Sequence, residues 1–133
     1  MLFSTKPSIL IIDDDKAILN VFKRIFQRRG YCVAVAEGGK EAAEKISMNH
    51  YDVALIDLCL PDMEGTALFP LIQSTSPHTV KIMLSGKAYL KDSIKGADVF
   101  LQKPIAVDQL LSIIDSKLQT QNIEAEPFRK EKD

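Results

Sequence analysis

Short apolar runs rich in valine and isoleucine alternate along the chain with longer stretches whose apolar residues recur at helical spacing. The runs are ILII at 9–12, CVAVA at 32–36, VALI at 53–56, VKIML at 80–84 and DVFLQ at 98–102. Strands that are apolar throughout are buried on both faces, which requires helices on either side of the sheet. The alternation of strand and helix therefore predicts a parallel, doubly wound α/β sheet with right-handed crossovers.

The helical stretches set the number and length of the connections between these strands. The first ends at RRG (28–30), the second begins at Lys40, the third begins near Thr66, the fourth falls within 87–96, and the last covers 107–119. A start near Thr66 keeps Pro70 close to the first turn, where proline is tolerated. Residues 87–96 leave room for only about two to three turns. The prediction is five strands and five helices in strict alternation, the fourth helix short.

Length and composition are those of an ordinary globular protein, with 133 residues, 46% apolar, 26% charged and a formal net charge of −1. No basic cluster is present, and nowhere do about 18 apolar residues follow one another, so we expect neither direct nucleic-acid binding nor a membrane span. Cys32 and Cys59 lack metal-ligand spacing and are expected to be small buried side chains. We expect a cytoplasmic protein with an N-terminal arm at 1–7, one domain at 8–119, and a flexible tail or linker stub at 120–133.

Polar residues follow four of the predicted strands at their carboxyl ends, which is where ligands bind in open parallel sheets. The first strand ends in Asp13, Asp14 and Asp15, the third in Asp57, the fourth in Ser85 and the fifth in Lys103. Clustered carboxylates repel one another unless a cation relieves them, and a hard divalent cation such as Mg²⁺ prefers oxygen ligands. A phosphoryl group fits beside that metal, with Asp57 as a nucleophile able to form an acyl phosphate.

Each of these residues also has a plain structural interpretation when it is taken alone. Asp14 or Asp15 can cap the first helix, and Ser85 can serve a turn. Lys103 can be a solvated charge, and Asp57 can simply begin a loop. The functional interpretation depends on the coincidence of four strand ends with complementary chemistry at one edge of the sheet.

Four motifs in this sequence resemble, in order, the signatures of the receiver domain of two-component response regulators. They are IIDDD at 11–15, DVALIDLCLPDMEG at 52–65, MLSG at 83–86 and FLQKP at 100–104. The resemblance covers about residues 8–119 and implies a flavodoxin-like fold with the strand order 2-1-3-4-5. It also implies phosphoryl transfer to Asp57 from a phosphohistidine on a sensor histidine kinase or a phosphotransfer protein. It further implies a signalling switch rather than an enzyme, one that catalyses only its own phosphorylation and slow dephosphorylation.

The resemblance implies a particular set of metal ligands. Mg²⁺ would be bound by Asp13, Asp14, Asp57 and the backbone carbonyl of Cys59, with Asp14 closer to the metal and Asp13 acting largely through water. Asp15 lies just outside this set, and its role as the start of the first helix remains the better interpretation.

The resemblance also implies residues that respond to phosphorylation. Ser85 would hydrogen-bond a phosphoryl oxygen, Lys103 would form an ion pair with it, and Phe100 would be an aromatic switch that changes rotamer. A plain strand hydrophobe is the alternative for Phe100. Cys59 and Lys87 stand two residues after Asp57 and Ser85, and we expect them to tune how fast water attacks the acyl phosphate.

Phosphorylation would then favour a conformer whose fourth helix, fifth strand and fifth helix present a new surface to a downstream protein target or effector domain. The sequence departs from the family here, because 17 residues separate Ser85 from Lys103, about one helical turn fewer than usual. A monomer or a weak, phosphorylation-dependent dimer is expected. Whether the chain stands alone or is part of a longer regulator is left open.

The opening motif is also similar to that of haloacid-dehalogenase-type phosphatases, which are enzymes acting on phosphate esters. In that alternative Asp13 is the nucleophile and Asp15 the acid/base, with Ser85 and Lys103 completing the site. However, Ala17 stands where that motif prefers threonine or valine, and no paired acidic motif follows Lys103. A third alternative keeps the receiver fold as a binding scaffold without chemistry.

Overall fold

A computed structural model describes residues 6–86 and 95–125 and contains the predicted parallel sheet. Its strands are β1 (Ser8–Ile12), β2 (Cys32–Ala36), β3 (Val53–Asp57), β4 (Val80–Ser85) and β5 (Val99–Gln102). They lie in the order β2-β1-β3-β4-β5, and every neighbouring pair is parallel. The predicted strand order is therefore confirmed.

The described residues form four α-helices and one short 3₁₀ helix. These are α1 (Lys16–Arg28), α2 (Gly39–Met48), the 3₁₀ helix (Gly65–Leu68), α3 (Phe69–Thr75) and α4 (Val107–Ala125). Asp15 caps α1, because its side chain accepts hydrogen bonds from the backbone N–H groups of Ala17 and Ile18. The helix ends at Arg28, and Gly30, just beyond the C-cap residue Arg29, has a φ of 90° in the left-handed region. Both ends of α1 agree with the sequence prediction.

The prediction of five helices, the fourth one short, is wrong for the residues that the structure describes, since these contain four α-helices. Most of the stretch expected to form the fourth helix, 87–94, lies outside the described residues. In the described part of this connection Gly96 has a φ of 99°, which a right-handed helix does not allow. The backbone N–H of Asp98 donates to the carbonyl of Lys81, so the chain turns here directly into β5.

The chain consists of two compact units, one extending to Lys103 and the other beginning at Pro104. The whole sheet and α1 to α3 belong to the first unit, and α4 belongs to the second. This last helix continues past residue 119, where the sequence predicted its end, to Ala125. Among the described helices, none is long and apolar enough to cross a membrane. The boundaries at 1–7, 8–119 and 120–133 stay predictions.

The hydrophobic core of the first unit lies against the three central strands. Its most deeply buried strand side chains include Leu10, Ile12, Ala54, Ile56 and Met83, and the helices cover them with Ala42, Ile46, Leu68 and Ile72. Because nearly every residue of these three strands is buried and most are apolar, both faces of the central strands are closed to water. Polar groups can then collect only at the two edges where the strands begin and end.

Both cysteines depart from the sequence prediction, since Cys32 and Cys59 are free and exposed. Cys32 is the first residue of β2, which forms one edge of the sheet. Cys59 lies in the loop that follows β3. The apolar runs around these cysteines predicted burial, but Cys32 lies on an edge strand and Cys59 lies beyond the end of its strand.

The edge of the sheet where the strands begin is held by polar contacts between loops. The Ser8 backbone N–H donates to Asp52 Oδ2 over 2.7 Å, and Thr79 Oγ1 donates to the Tyr51 carbonyl over 2.6 Å. The buried ammonium of Lys81 lies 3.6 Å from Asp98 Oδ2. These groups satisfy one another, so the polar residues at this edge have structural roles.

Replacing a core residue in the central strands is expected to cost much more than replacing an exposed apolar residue. Leu10 is completely buried in β1, so Leu10→Ala should lower the free energy of unfolding by about 2–5 kcal/mol, because it leaves a cavity. Val21 on α1 is 52% exposed, and Val21→Ala should change it by less than about 0.5 kcal/mol. Urea denaturation of both variants measures the difference, and equal losses would contradict this description of the core.

Candidate functional site

Two buried carboxylates lie side by side at the carboxyl edge of the sheet. Asp57 is the last residue of β3, and Asp13 follows β1 directly. They are 8% and 2% exposed respectively. The backbone N–H of Asp13 donates to the carbonyl of Ala36 at the end of β2. The parallel pairing of β1 with β2 therefore extends to Asp13 and holds its backbone in place.

Asp14 completes a cluster of three acidic residues. One carboxylate oxygen from each of Asp13, Asp14 and Asp57 lies within 4.8 Å of the other two, with Asp14 exposed and the other two buried. The sequence predicted this grouping from the strand ends alone. Three carboxylates offer the hard oxygen ligands that Mg²⁺ or Ca²⁺ prefers.

Lys103 brings a cation to this acidic cluster from the end of β5. Its backbone N–H donates to the Ser85 carbonyl over 2.7 Å, which fixes the start of the loop. Its Nζ atom lies 2.8 Å from Asp13 Oδ2 and 3.5 Å from Asp57 Oδ2. Lys103 therefore pairs with two of the three carboxylates, and among the described residues the cluster keeps an excess of negative charge.

The protonation behaviour of the two sides of this ion pair reflects their burial and their charges. Burial raises the pKa of Asp57, and the nearby charge of Asp13 adds to this, although the Cys59 N–H and Lys103 act in the opposite direction. Burial lowers the pKa of Lys103, but the hydrogen bond and charge of Asp13, with the charge of Asp57, outweigh it and raise the pKa above its usual value. Lys103 therefore stays charged. Keeping the Asp57 carboxylate ionised costs free energy, and a bound cation would remove this cost.

Ser85 and Phe100 lie on the two strands beyond β3. Ser85 is the last residue of β4 and only 1% exposed; it follows Leu84, the register partner of Asp57. Phe100 lies in β5 opposite Met83 and is half-buried, packed against the core. The structure thus places Ser85 at the same sheet edge as the acidic cluster, and Phe100 further back along β5.

The loop after β3 ties Asp57 to the residues that follow it. The backbone N–H of Cys59 donates to Asp57 Oδ1 over 3.2 Å, and the Gly65 N–H donates to the Leu58 carbonyl over 2.7 Å. A side chain at Gly65 would not fit, since its Cβ would lie 2.4 Å from the Asp57 carbonyl oxygen. Lys87, the other predicted tuning position, lies outside the described residues.

Asp62, in the same loop, is a residue that the sequence reasoning missed. Its carboxylate accepts hydrogen bonds from the backbone N–H groups of Gly39 and Lys40, each over 2.8 Å. The available signal was the pair Gly38-Gly39, which leaves α2 without a capping side chain of its own. Asp15, by contrast, caps α1 as predicted.

Comparison with known proteins agrees with the sequence motifs. A sequence model described as the response regulator receiver domain matches residues 9–115. The chain is 31% identical over 121 residues to the transcriptional regulatory protein GlrR of Escherichia coli (strain K12), covering 87% of this chain and 27% of that protein. It spans about half or less of the length of the curated relatives that it matches.

Solved structures show the same relationship. The fold is similar to a response regulator receiver domain protein (CheY-like) from Methanospirillum hungatei JF-1, with a TM-score of 0.85, 40% identity, and coverage of 90% of this chain and 99% of that one. It is also similar to a response regulator protein from Burkholderia pseudomallei with a phosphorylated aspartic acid, calcium ion and citrate. That second match has a TM-score of 0.76 and 26% identity, and covers 90% of this chain and 73% of the other.

Removing the charge of Asp57 is expected to stabilise the metal-free protein. Asp57→Asn should raise the free energy of unfolding by about 1 kcal/mol near pH 7, because a buried carboxylate beside Asp13 becomes a neutral amide of the same shape. Lys103 keeps its shorter contact with Asp13. Urea denaturation with a chelator present measures this difference.

The gain in stability should depend on pH in one direction. Because folding raises the pKa of Asp57, the wild-type protein is relatively more stable where this carboxyl is protonated, and it loses that stability as the pH rises through the folded-state pKa. The difference between variant and wild type should therefore be small near about pH 4 and reach its full size near about pH 7. An advantage that is largest at low pH would contradict this description of the site.

Proposed function

The chain belongs to the response regulator receiver domain family, and on this basis we propose that Asp57 accepts a phosphoryl group from a phosphohistidine and that the change is passed on through protein contacts. Members of this family are signalling switches of two-component systems. The phosphatase alternative is not supported, because the family match is to the receiver domain. Asp15, its expected acid/base, is also engaged in capping α1.

The contact between Lys103 and the two buried carboxylates supports this function most directly. Both oxygens of Asp13 are engaged, Oδ2 with the Lys103 ammonium and Oδ1 with the Asp15 backbone N–H. Both oxygens of Asp57 also accept hydrogen bonds, Oδ1 from the Cys59 N–H over 3.2 Å and Oδ2 from the same ammonium over 3.5 Å, but these are longer than the two bonds of Asp13, at 2.8 and 2.9 Å. Asp57 is also the more exposed of the two residues. Asp57 is therefore the buried carboxylate better placed to attack, and Asp13 the one better placed to bind a cation.

Asp13, Asp14 and Asp57 would hold the metal, together with the Cys59 carbonyl implied by the family resemblance. Their oxygen donors and uncompensated charge fit Mg²⁺. When bound, Mg²⁺ neutralises part of the negative charge that the carboxylates and the phosphoryl oxygens would otherwise place close together. The related Burkholderia protein, which carries a calcium ion and a phosphorylated aspartic acid, is consistent with this arrangement.

The transfer itself requires little covalent chemistry from the other residues. An oxygen of Asp57 forms a bond to phosphorus, the phosphorus–nitrogen bond of the phosphohistidine breaks, and the electron pair leaves with the imidazole nitrogen. Lys103 is already held at the strand end, so its ammonium can pair with a phosphoryl oxygen without a large rearrangement.

Ser85 and Phe100 connect the modified residue with the rest of the sheet. The Ser85 hydroxyl donates to a phosphoryl oxygen, and the resulting shift at the end of β4 is followed by a change of the half-buried Phe100 on β5. Phe100 has no phenolic hydroxyl, so it acts through packing alone. Cys59, exposed beside Asp57, and Lys87 tune the access of water to the acyl phosphate.

A sensor histidine kinase or phosphotransfer protein in the cytoplasm supplies the phosphoryl group. The signal passes to a downstream protein target or to an effector domain, and the receiver is a monomer or a weak dimer that phosphorylation favours. GlrR is named as a transcriptional regulatory protein, but the matched region is only a quarter of it. The output of this chain is therefore proposed only as protein contact.

Incubation with acetyl phosphate tests the chemistry directly. In the presence of Mg²⁺ the intact mass should increase by one phosphoryl group, and chelation of the metal should prevent the increase. Asp57→Asn should abolish the adduct, whereas Asp13→Asn should slow its formation but leave the phosphorylated residue in place. An adduct that persists in Asp57→Asn and disappears only in Asp13→Asn would overturn the assignment of the acceptor.

A further inference from the structure

The start of α2 is capped by a residue from a distant part of the chain. Gly38 occupies the N-cap position and offers no side chain for capping. The two oxygens of Asp62 instead accept hydrogen bonds from the first helical amides, Gly39 N–H and Lys40 N–H, each over 2.8 Å. One carboxylate therefore joins α2 to the loop that follows Asp57.

Two glycines allow this loop to approach the helix so closely. A Cβ atom at Gly38 would lie 3.2 Å from Asp62 Oδ1, and a Cβ atom at Gly39 would lie 2.3 Å from the sulfur of Met63. The second distance is far below van der Waals contact. The close approach thus depends on the amino acids of both segments, the two glycines on one side and Asp62 with Met63 on the other.

The rest of the loop links Asp62 to the phosphorylation site. Backbone hydrogen bonds run from Gly65 N–H to the Leu58 carbonyl and from Leu60 N–H to the Met63 carbonyl, and Cys59 forms a bridge with Glu64. These contacts make residues 58–65 a closed loop, with Asp62 near its tip. The Cys59 N–H bond to Asp57 Oδ1 lies at the base of that loop.

We propose that Asp62 is a positioning residue for the phosphorylation site, which rests on the function proposed above. By tying the loop 58–65 to the start of α2, it holds the Cys59 carbonyl and the Asp57 carboxylate where Mg²⁺ and the phosphoryl group need them. Asp62 itself touches neither ligand. Its effect passes through the closed loop to the backbone of Cys59.

The ionisation state of the Asp62 carboxyl favours its contact with the start of α2. The pKa of Asp62 is lowered, first by the hydrogen bond from the Gly39 amide and then by that from the Lys40 amide. The ionised form is thus the one that the start of α2 stabilises, as expected for an anion at a helix N-terminus. A simple cap would have the same property, so the two roles must be separated by experiment.

Three variants separate positioning from capping. Asp62→Ala removes both the cap and the tether, whereas Asp62→Asn keeps an acceptor oxygen in place. The double variant Gly38→Asp with Asp62→Ala gives α2 a local cap and restores the net charge, but leaves the loop untied. The new side chain can fit because Gly38 has an extended backbone, with φ of −159°, and because its close neighbour Asp62 has been shortened.

Magnesium affinity and phosphorylation are measured separately for each variant. Calorimetry gives the Mg²⁺ dissociation constant, intact mass gives the rate of phosphorylation by acetyl phosphate, and urea denaturation gives stability. Asp62→Ala should weaken Mg²⁺ binding and slow phosphorylation on the order of tenfold, and Asp62→Asn should recover most of both. Glu44→Ala, which removes a negative charge from the exposed side of α2, is the control for charge alone.

The double variant decides between the two roles. It should regain stability relative to Asp62→Ala while its Mg²⁺ affinity and phosphorylation rate stay low. Recovery of all three would overturn the proposal and leave Asp62 as a helix cap only, as would unchanged Mg²⁺ affinity in Asp62→Ala. A wild-type protein that binds Mg²⁺ but is never phosphorylated would count against the proposed function and not against the tether, whose effect on Mg²⁺ affinity would still be measured.

Discussion

The ion pair between Lys103 and the carboxylates of Asp13 and Asp57 is the contact on which the candidate site depends. Its residues come from the ends of three strands, and Lys103 is 90 positions from Asp13 in sequence. They meet because all five strands are parallel and end at the same edge. The hydrogen bond from the Lys103 backbone N–H to the Ser85 carbonyl also brings the end of β4 beside these residues. The buried sheet below gives these polar groups a rigid base, since its side chains are closely packed apolar residues.

The charges of the described residues at this edge do not balance, because negative charge is in excess. Among the described residues, three clustered carboxylates share the Lys103 ammonium, which pairs with Asp13 and Asp57, and burial makes the ionised form of Asp57 unfavourable. The three carboxylates nevertheless lie within 4.8 Å of one another. Under the proposed function the missing positive charge is Mg²⁺, and a phosphoryl group then completes the set of charges. The ionised Asp57 lowers the stability of the metal-free protein, and binding of Mg²⁺ and a phosphoryl group would restore it. This difference in stability is the physical reason that the site can respond to these ligands.

The loop after β3 connects this edge to the helical layer. Gly65 has no room for a side chain beside the Asp57 carbonyl, and Gly39 has none beside Met63. The Asp62 carboxylate, in the same loop, accepts hydrogen bonds from the first two backbone N–H groups of α2. The loop is therefore held at both its base and its tip, which is unusual for an exposed connection and is the reason to assign it a role beyond joining two elements.

The sequence by itself determined the strands, their parallel direction and the residues that meet at the carboxyl edge, because alternation of apolar runs and the rule for parallel sheets are sufficient for these. The order of the strands followed from the resemblance of its motifs to the receiver family. It also identified Asp15 as the cap of α1, since capping is local in sequence. It failed on the number of helices among the described residues and on the exposure of Cys32 and Cys59. Only the tertiary structure decided which oxygens Lys103 contacts and that Asp62 caps α2. The physical reason is that these contacts join residues 22 to 90 positions apart, and the local periodicity of a sequence carries no information about such distances.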